Sequence, residues 1–329
     1  MKRTLGKSGI EVSAVGMGCW AIGGPWDWVN VDHTYPAGWG DVDDDESIHA
    51  IHAGIEAGIT LFDTAANYGA GHSETVLGKA LQGKRENVVI TTKFGHLVNE
   101  AEKTVKNGDD QIIANLRQDC ENSLRRLNTD YIDVYQLHEG GFDPELAPQV
   151  MDILEDLVTQ GKIRAYGWST DLPDRAAVFA PGKNCASIQF ALNVFVDNPE
   201  MRALCREQDL GGLNKSPLSR GLLSGKFGAA TTFPENDICK FIDFKQGTTA
   251  DRLNKLDQIR EIMTANGHSL TQASLAFIWA LDERMVPIPG FRNTAQVEEN
   301  AKTMELGPLS QEQLNQIQTV IGETEVRGF

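Results

Sequence analysis

The chain has few of the features that mark secreted proteins, membrane proteins or proteins stabilised by a bound metal. Its 5 cysteines in 329 residues include no CxxC pair, so neither a zinc knuckle nor a disulfide framework is indicated, and no metal ligand set is expected. No apolar run approaches the ~20 residues of a membrane-spanning helix. The charged start MKRTLGKSGIEV also lacks the apolar segment of a signal peptide. We therefore expect a cytoplasmic protein with no membrane partner.

Basic residues are also scarce. Lys and Arg number 30 against 46 Asp and Glu, which gives a formal net charge of -16 and a sequence pI near 4.9. Such a surface repels nucleic acid and anionic lipid, because both bind through clusters of positive charge. No nucleic-acid partner is expected, and an anionic ligand must be held by a local group of Lys and Arg side chains.

Short apolar runs recur along the chain, each too short for a helix and each typical of a buried strand. The eight runs are AVGMGC, ITLFDT, VVITTK, YIDVYQLH, IRAYGW, SIQF, LGGLN and MVPIPG. Segments of helical period separate most of them, such as SIHAIHAGIEAG and QIIANLRQDCENSLRRL. Because no linker-like composition interrupts the alternation, the pattern predicts a single α/β domain over residues 1–329, a (β/α)8 TIM barrel.

Two connections are longer than this alternation requires, residues 23–45 and residues 226–249. The first contains the aromatic residues Trp26, Trp28, Tyr35 and Trp39. Loops of this length inside a compact domain usually bind or cover a ligand. We expect long loops at the C-terminal mouth of the barrel, with Trp20 and Trp26 as substrate contacts that stack on a sugar or another ring. Packing as a small core under the loop is the equal alternative.

Polar residues end three consecutive strands. Asp63 ends ITLFD, Lys93 ends VVITTK and His138 follows YIDVYQL, while Tyr68 lies in the loop after Asp63. In a barrel these positions face one mouth, so the four side chains are expected to converge there. Asp63 would hold the Lys93 ammonium, and that ammonium would favour ionisation of Tyr68, making the phenol a better acid toward a carbonyl oxygen. His138 would orient that oxygen through a hydrogen bond.

The motifs LFDTAANYG, VVITTKFG, YIDVYQLH and IPGFRNTAQVEEN resemble those of the aldo-keto reductase family. The resemblance extends from LGKSGIEVS near the start to VEENAK near the end. It implies an NADP-dependent oxidoreductase that reduces an aldehyde or ketone, with Asp63, Tyr68, Lys93 and His138 as catalytic residues and Tyr68 as the general acid. It also implies a short N-terminal β-hairpin, which KRTLGKSGIEVS fits.

The same resemblance locates the cofactor. It implies a nicotinamide near Ser169, a pyrophosphate along residues 216–226 and an adenosine end on IPGFRNTAQVEEN. There Arg292 would bind a 2′-phosphate, which favours NADPH over NADH because a guanidinium binds phosphate bidentately. The predicted cofactor-binding residues are Ser169, Thr170, Gln189, Lys215, Ser216, Pro217, Leu218, Ser219, Arg220, Gly221, Lys226, Gly290, Arg292, Gln296, Glu299 and Asn300.

Two of these positions depart from the family pattern. Thr170 stands where the family usually has Asn, and Lys215 stands where an aromatic ring commonly stacks on the nicotinamide. Lys215 is therefore expected either to contact a cofactor phosphate or to form an ion pair.

Two other functions are compatible with the same fold. A barrel lyase would use Lys93 for a Schiff base, although the neighbouring Asp63 would keep the amine protonated. A cofactor-binding regulatory subunit would keep the fold without turnover, but the complete set of catalytic residue types favours retained chemistry. The aromatic residues of the first long loop favour a hydroxylated or sugar-like carbonyl as the small-molecule substrate.

Overall fold

Strands and helices alternate along the chain in the computed structural model, which describes residues 1–326. The strands are β1 (Lys2–Thr4), β2 (Glu11–Ser13), β3 (Met17–Gly18), β4 (Asp27–Val29), β5 (Thr34–Pro36), β6 (Leu61–Asp63), β7 (Val89–Phe94), β8 (His96–Asn99), β9 (Thr104–Asn107), β10 (Ile132–Leu137), β11 (Ile163–Ser169), β12 (Cys185–Ala191), β13 (Gly211–Lys215) and β14 (Met285–Pro287). The helices are α1 (Asp44–Glu56), α2 (His72–Ala80), α3 (Ile112–Leu127), α4 (Ala147–Thr159), α5 (Pro173–Phe179), α6 (Pro199–Glu207), α7 (Gly247–Thr264), α8 (Leu270–Leu281), α9 (Thr294–Leu306) and α10 (Gln311–Ile321).

An eight-stranded parallel sheet forms the centre of the fold, in the order β3, β6, β7, β10, β11, β12, β13 and β14. Its two edges meet, because the Gly16 N–H donates to Pro287 O and the Gly18 N–H to Pro289 O, both at 2.9 Å. A parallel bridge between Gly18 and Gly290 completes the closure. These contacts confirm the predicted (β/α)8 barrel, whose strands correspond to the eight apolar runs of the sequence. The last three residues of the predicted domain lie outside the described part.

Branched apolar side chains fill the N-terminal half of the barrel interior. Val89, Val134 and Val286 belong to one buried cluster there, together with Ile10 and Val12 of the N-terminal segment. That segment forms the predicted hairpin, in which β1 and β2 pair antiparallel. A larger apolar cluster packs the outer faces of the strands against the surrounding helices. The closed lower end leaves the C-terminal ends of the strands as the open mouth.

The turn of the hairpin depends on one glycine. Gly6 has φ of 50°, and a Cβ at this position would lie 1.9 Å from the Asp209 carbonyl oxygen. Only a residue without a side chain permits this approach, which lets the Lys7 N–H donate to the same oxygen at 2.7 Å. The hairpin is thereby fixed to the lower end of the barrel.

A second, four-stranded sheet stands at the mouth, in the order β5, β4, β9 and β8. The first long connection, predicted only as a loop, therefore carries a β-hairpin, β4 and β5, and the segment after β7 carries another, β8 and β9. The strands are short, and β4 pairs with β9 across more than seventy residues of sequence, so local periodicity does not reveal the sheet.

The two long connections meet over the mouth. The Ile238 N–H donates to Gly38 O at 2.8 Å, a bridge joins Trp39 to Asp237, and the Asn236 amide donates to Asp41 at 3.0 Å. One side of the mouth is thus built jointly by these two segments. Within residues 1–326, none of the helices is both long enough and apolar enough to cross a membrane.

Candidate active site

The four predicted catalytic residues converge at the mouth of the barrel. Lys93 lies near the end of β7 with its ammonium fully buried, and it donates to Asp63 Oδ2 at 2.8 Å and to Thr64 O at 2.7 Å. The same Nζ lies 3.4 Å from Tyr68 Oη. The His138 ring meets the Tyr68 ring edge to face, with centroids 5.8 Å apart. The expected convergence of these side chains is observed.

The Asp63 carboxylate is fixed by several donors at once. Its Oδ1 accepts from Thr91 Oγ1 at 2.6 Å and from Gln189 Nε2 at 2.8 Å, while its Oδ2 faces Lys93. Thr91 and Gln189 come from β7 and β12, so strands on different sides of the barrel hold one carboxylate. Hydrogen bonds to an ionised group are stronger than those between neutral groups, so they hold the Asp63 and Lys93 side chains in one arrangement.

The Tyr68 phenol is held between aromatic rings. Trp20 stacks on it with an interplanar angle of 15° and a centroid distance of 5.7 Å. Trp20 is in turn fixed because its indole Nε1 donates to Ala37 O at 3.1 Å and its ring meets Trp39 edge to face. Trp20, predicted as a substrate contact, thus also positions the phenol.

Burial dominates the electrostatics of this group. Burial and the Asp63 charge raise the pKa of Tyr68 well above its usual value of 10.0. This direction is opposite to the sequence-based expectation that Lys93 would favour ionisation of Tyr68. Desolvation of a buried phenolate raises the pKa more than the Lys93 ammonium lowers it, because Asp63 already neutralises that ammonium. Burial likewise lowers the pKa of Lys93, and Asp63 opposes that shift. Tyr68 is therefore a protonated phenol at neutral pH.

The imidazoles at the mouth are neutral. Burial lowers the pKa of His138 well below 6.5, helped by the nearby His96, Lys93 and Lys215. Burial lowers the pKa of His96 to about 4. A neutral imidazole carries one donor and one acceptor, so each ring can donate a hydrogen bond to an oxygen without changing its protonation state.

A cavity of about 670 Å³ opens in front of these groups and extends across the mouth. Asp63, Tyr68 and His138 line it, and Lys93 lies behind them. Trp20 and Trp26 line it as well, and Trp26 also belongs to a small core under the loop, as the packing alternative predicted, while their contact with substrate stays a prediction. The predicted cofactor residues that line it are Gln189, Lys215, Ser216, Pro217, Leu218, Arg220, Gly221, Lys226, Gly290, Arg292, Gln296, Glu299 and Asn300.

The remaining predicted cofactor residues are not on the cavity wall. Thr170 is buried, and its hydroxyl donates to Gly140 O at 2.8 Å and accepts from the Leu172 N–H, so it is committed to the turn after β11. Ser169 Oγ lies 3.4 Å from Gln189 Oε1. The Ser219 side chain is buried in the loop after β13. Each of them shapes the wall from behind.

Lys215 forms an ion pair. Its Nζ lies 3.2 Å from Asp171 Oδ2, and the other oxygen of Asp171 accepts from the Ala191 N–H at 2.7 Å. Lys215 also lines the cavity. The ion-pair alternative for Lys215 is therefore observed, and the lysine stem remains part of the wall.

The groove at one end of the cavity has the character of an anion site. In a protein of net charge -16, the basic side chains Lys215, Arg220, Lys226 and Arg292 line the same cavity. Ser216, Ser219 and Arg220 have φ values of 54°, 47° and 53°, and Gly221 has 88°, a run of left-handed backbone. Turns of this kind occur in loops that receive phosphate or other anions, although the Ser219 and Gly221 N–H groups here donate to Ser216 O and Leu218 O. The donor set fits a dinucleotide.

Arg292 lies at the far end of this groove, where α9 begins. Its guanidinium donates to Asp41 O at 2.5 Å, and its backbone N–H donates to Gln296 at 2.8 Å. Glu299, one turn further, accepts from Ser269 at 2.7 Å. The segment that the sequence assigned to the adenosine end thus forms one side of the groove.

Sequence reasoning missed several residues of the cavity. These are His96 of the second sheet and Phe227 and Phe233 of the second long connection, whereas Trp28 and Tyr35, also of the second sheet, were among the aromatic residues named in the first long loop. His96 had a local signal, since it lies two residues after the end of the strand that carries Lys93. Within the described chain, no group of three or more His, Cys, Asp or Glu residues is placed to hold a metal ion.

Comparison with known proteins identifies relatives over most of the chain. A sequence profile of the Aldo/keto reductase family matches residues 14–321. Aldo-keto reductase YhdN of Bacillus subtilis (strain 168) is 34% identical over 315 residues, covering 90% of this chain and 86% of that protein. The structure of a glycerol dehydrogenase from Gluconobacter oxydans is 30% identical with a TM-score of 0.81, covering 97% of this chain and 94% of that chain. An aldo-keto reductase from Klebsiella pneumoniae in complex with NADPH is 26% identical with a TM-score of 0.71, covering 98% and 95%.

Proposed function

The chain belongs to the aldo-keto reductase family, and on that premise we propose that it reduces an aldehyde or ketone with NADPH, Tyr68 being the proton donor. The observation that carries the proposal is the position of the Tyr68 phenol, which lies on the cavity wall 3.4 Å from the buried Lys93 ammonium. A protonated phenol beside a fixed positive charge is suited to protonate an oxygen on which negative charge develops.

Each residue of the tetrad has one task in this reaction. The nicotinamide, when bound, supplies a hydride to the carbonyl carbon. His138 donates a hydrogen bond to the carbonyl oxygen and orients it. Tyr68 Oη transfers its proton to that oxygen, and the Lys93 ammonium stabilises the phenolate that is left. Asp63 keeps Lys93 protonated and in place.

The cofactor assignment rests on the basic groove and on the relative from Klebsiella pneumoniae whose structure contains NADPH. Arg220 lies in the left-handed loop that would receive the pyrophosphate, and Lys226 follows that loop. Gln189, which lies on the wall beside Asp63, would hold the nicotinamide amide. Arg292 would bind the 2′-phosphate that distinguishes NADPH from NADH.

The burial of Lys93 does not favour a Schiff-base lyase. Its Nζ is enclosed and donates to Asp63 and Thr64, so no lone pair faces the cavity. Attack on a carbonyl carbon needs a neutral, accessible amine.

The proposal is tested by following NADPH oxidation across a panel of aldehydes and ketones. In a separate titration, the quenching of tryptophan fluorescence measures NADPH binding. Binding together with turnover of one or more carbonyls is the expected result. Tight binding without turnover of any carbonyl would instead support the regulatory function. Absence of NADPH binding would overturn the cofactor assignment.

Substitution of Arg292 by Met is expected to raise the Kd for NADPH about 10- to 100-fold and to change the Kd for NADH by less than about threefold. Loss of a charged hydrogen bond to phosphate costs about 1.5–3 kcal/mol of binding free energy. NADH has no 2′-phosphate, so it forms no such bond with Arg292 and loses none. Fluorescence titration with both nucleotides measures the two constants. Arg284→Met is the matched control, because Arg284 is paired with Asp209, far from the groove. Equal weakening of both nucleotides would show that Arg292 does not read the 2′-phosphate.

Acidification from about pH 7.5 to about pH 5.5 is expected to leave kcat/KM for carbonyl reduction unchanged. The lowered pKa values of His138 and His96 keep both rings neutral over this window, and protonation begins only at lower pH. An ordinary histidine would titrate in the middle of the window. Initial-rate profiles measure the effect. A fall in rate with a midpoint near 6.5 that His138→Asn removes would contradict the neutral assignment.

A further inference from the structure

A second imidazole stands beside the one assigned to the carbonyl oxygen. The rings of His96 and His138 have centroids 5.0 Å apart and lie at 46° to each other. Both line the cavity that Tyr68 and Asp63 also line. His96 therefore lies within reach of a group bonded to the carbon next to a carbonyl that His138 and Tyr68 hold.

The position of His96 is fixed by the second sheet. Strand β7 ends at Phe94, and Gly95, with φ of 117°, turns the chain so that β8 begins at His96. His96 pairs with Asn107 of β9 in the register of that hairpin. The Trp28 ring meets the His96 ring edge to face at 5.0 Å. The imidazole is thus held against the cavity by backbone pairing and by an aromatic neighbour.

One ring nitrogen of each imidazole is buried without a hydrogen-bond partner. The Nδ1 atoms of His96 and His138 are buried, and no described residue donates to or accepts from either of them. Buried polar atoms in folded proteins are nearly always hydrogen-bonded, so each exception requires an explanation, of which a catalytic role is one. Because the two neutral rings are adjacent and both line the cavity, two neighbouring oxygen atoms of one ligand could each form a hydrogen bond with one of them.

The rest of the wall around the pair is largely aromatic, with Trp20, Trp28 and Tyr35 on the side of the second sheet. These rings offer flat apolar surface to a carbon skeleton. The two imidazoles and the phenol are among the polar groups that a substrate can contact on this side.

We propose that His96 is a specificity-determining residue that binds a hydroxyl group on the carbon adjacent to the carbonyl, so that the preferred substrates are 2-hydroxy aldehydes and 2-hydroxy ketones. His138 and Tyr68 hold the carbonyl oxygen, and His96 holds the neighbouring hydroxyl oxygen. The inference rests on the proposed carbonyl reduction and specifies the substrate class of that site. In the reverse direction the corresponding substrates are vicinal diols.

The experiment compares pairs of carbonyls of nearly the same shape. Hydroxyacetone is compared with butanone, and glycolaldehyde with propanal, because each pair exchanges a hydroxyl for a methyl group. The measured quantity is the ratio of kcat/KM within each pair. Since the intrinsic reactivity of each compound is the same with every variant, a change in this ratio reports binding of the hydroxyl group.

In the wild type the ratio is expected to favour the hydroxylated compound, and in His96→Phe it is expected to fall about tenfold, the effect of one hydrogen bond. His96→Asn keeps a donor on a short side chain and is expected to restore most of the ratio. His49→Phe is the matched control, because His49 is exposed on α1 and away from the cavity, and its ratio is expected to equal that of the wild type. Retained NADPH binding establishes that each variant is folded.

Three results are distinguishable. An unchanged ratio in His96→Phe, with both members of a pair reduced, overturns the role of His96 while the reductase function stands. A wild type that reduces butanone or propanal but neither hydroxylated partner overturns the substrate class. A wild type that binds NADPH and reduces no carbonyl overturns the proposed function itself, and the inference falls with it. If His96→Phe does not fold, His96→Leu provides the second apolar variant.

Discussion

Replacement of Tyr68 by Phe is expected to lower kcat for carbonyl reduction by about 10²- to 10⁴-fold, the range that a positioned general acid contributes. Phe retains the ring that stacks on Trp20 and meets His138 but has no proton to transfer. NADPH binding is expected to persist, because the basic groove lies elsewhere in the cavity. The measurement is single-turnover reduction of the best carbonyl, together with nucleotide titration.

Tyr131→Phe is the matched control for this substitution. Tyr131 lies directly before β10, opposite the mouth, and the Arg85 guanidinium packs over its ring at 4.0 Å. Loss of its hydroxyl is expected to leave kcat unchanged. Full activity in Tyr68→Phe would show that the proton comes from another group and would remove Tyr68 from the proposed mechanism.

Replacement of Asp63 by Asn is expected to lower the free energy of unfolding by about 3–5 kcal/mol and to abolish most turnover. The substitution leaves the Lys93 ammonium buried without a counter-charge. Removing one partner of a buried ion pair lowers stability by more than the pair itself contributed, because the remaining charge is uncompensated. It also removes the charge that keeps Lys93 protonated beside Tyr68. Urea unfolding measures the stability, and activity is normalised to the folded fraction.

The chain offers a second buried ion pair as control. Arg126 Nε donates to Glu74 Oε2 at 2.6 Å, and both side chains are almost fully buried, but they lie outside the cavity. Glu74→Gln is expected to cost less stability, because Glu100 still pairs with Arg126, and the folded fraction is expected to keep its kcat. If Asp63→Asn behaved in the same way, the Asp63 and Lys93 pair would be structural, and its proposed catalytic task would be wrong.

The strands and the tetrad could be predicted because their signals are local. Buried parallel strands are continuous apolar runs, and a polar residue such as Asp63 or Lys93 at the end of a run stands out against them. The N-terminal hairpin was implied by the family resemblance, and the segment KRTLGKSGIEVS fits it. The cofactor segment around Arg292 was recognised from its motif, and its side chains do line the cavity.

The second sheet could not be predicted in the same way. Its strands are three or four residues long, and β4 finds its partner β9 only when the barrel brings two separate loops to one mouth. Strand pairing between distant segments depends on the whole fold rather than on local preference. His96 and the wall of Trp28 and Tyr35 were therefore placed by tertiary structure.

The tertiary structure also determined the hydrogen-bond partners and protonation states of side chains. Thr170 has a hydroxyl suited to a ligand, but that hydroxyl is hydrogen-bonded within the turn after β11. Lys215 forms an ion pair with Asp171. The sign of the Tyr68 pKa shift follows from burial, which no sequence pattern measures.

By itself, then, the sequence determined the alternation of strands and helices, the barrel that follows from it, and the residue types brought to the mouth, because each is encoded over a few neighbouring positions. Only the tertiary structure decided which of those side chains face the cavity, which are already bonded, and which carry a proton. Those properties depend on what packs against each group from distant parts of the chain.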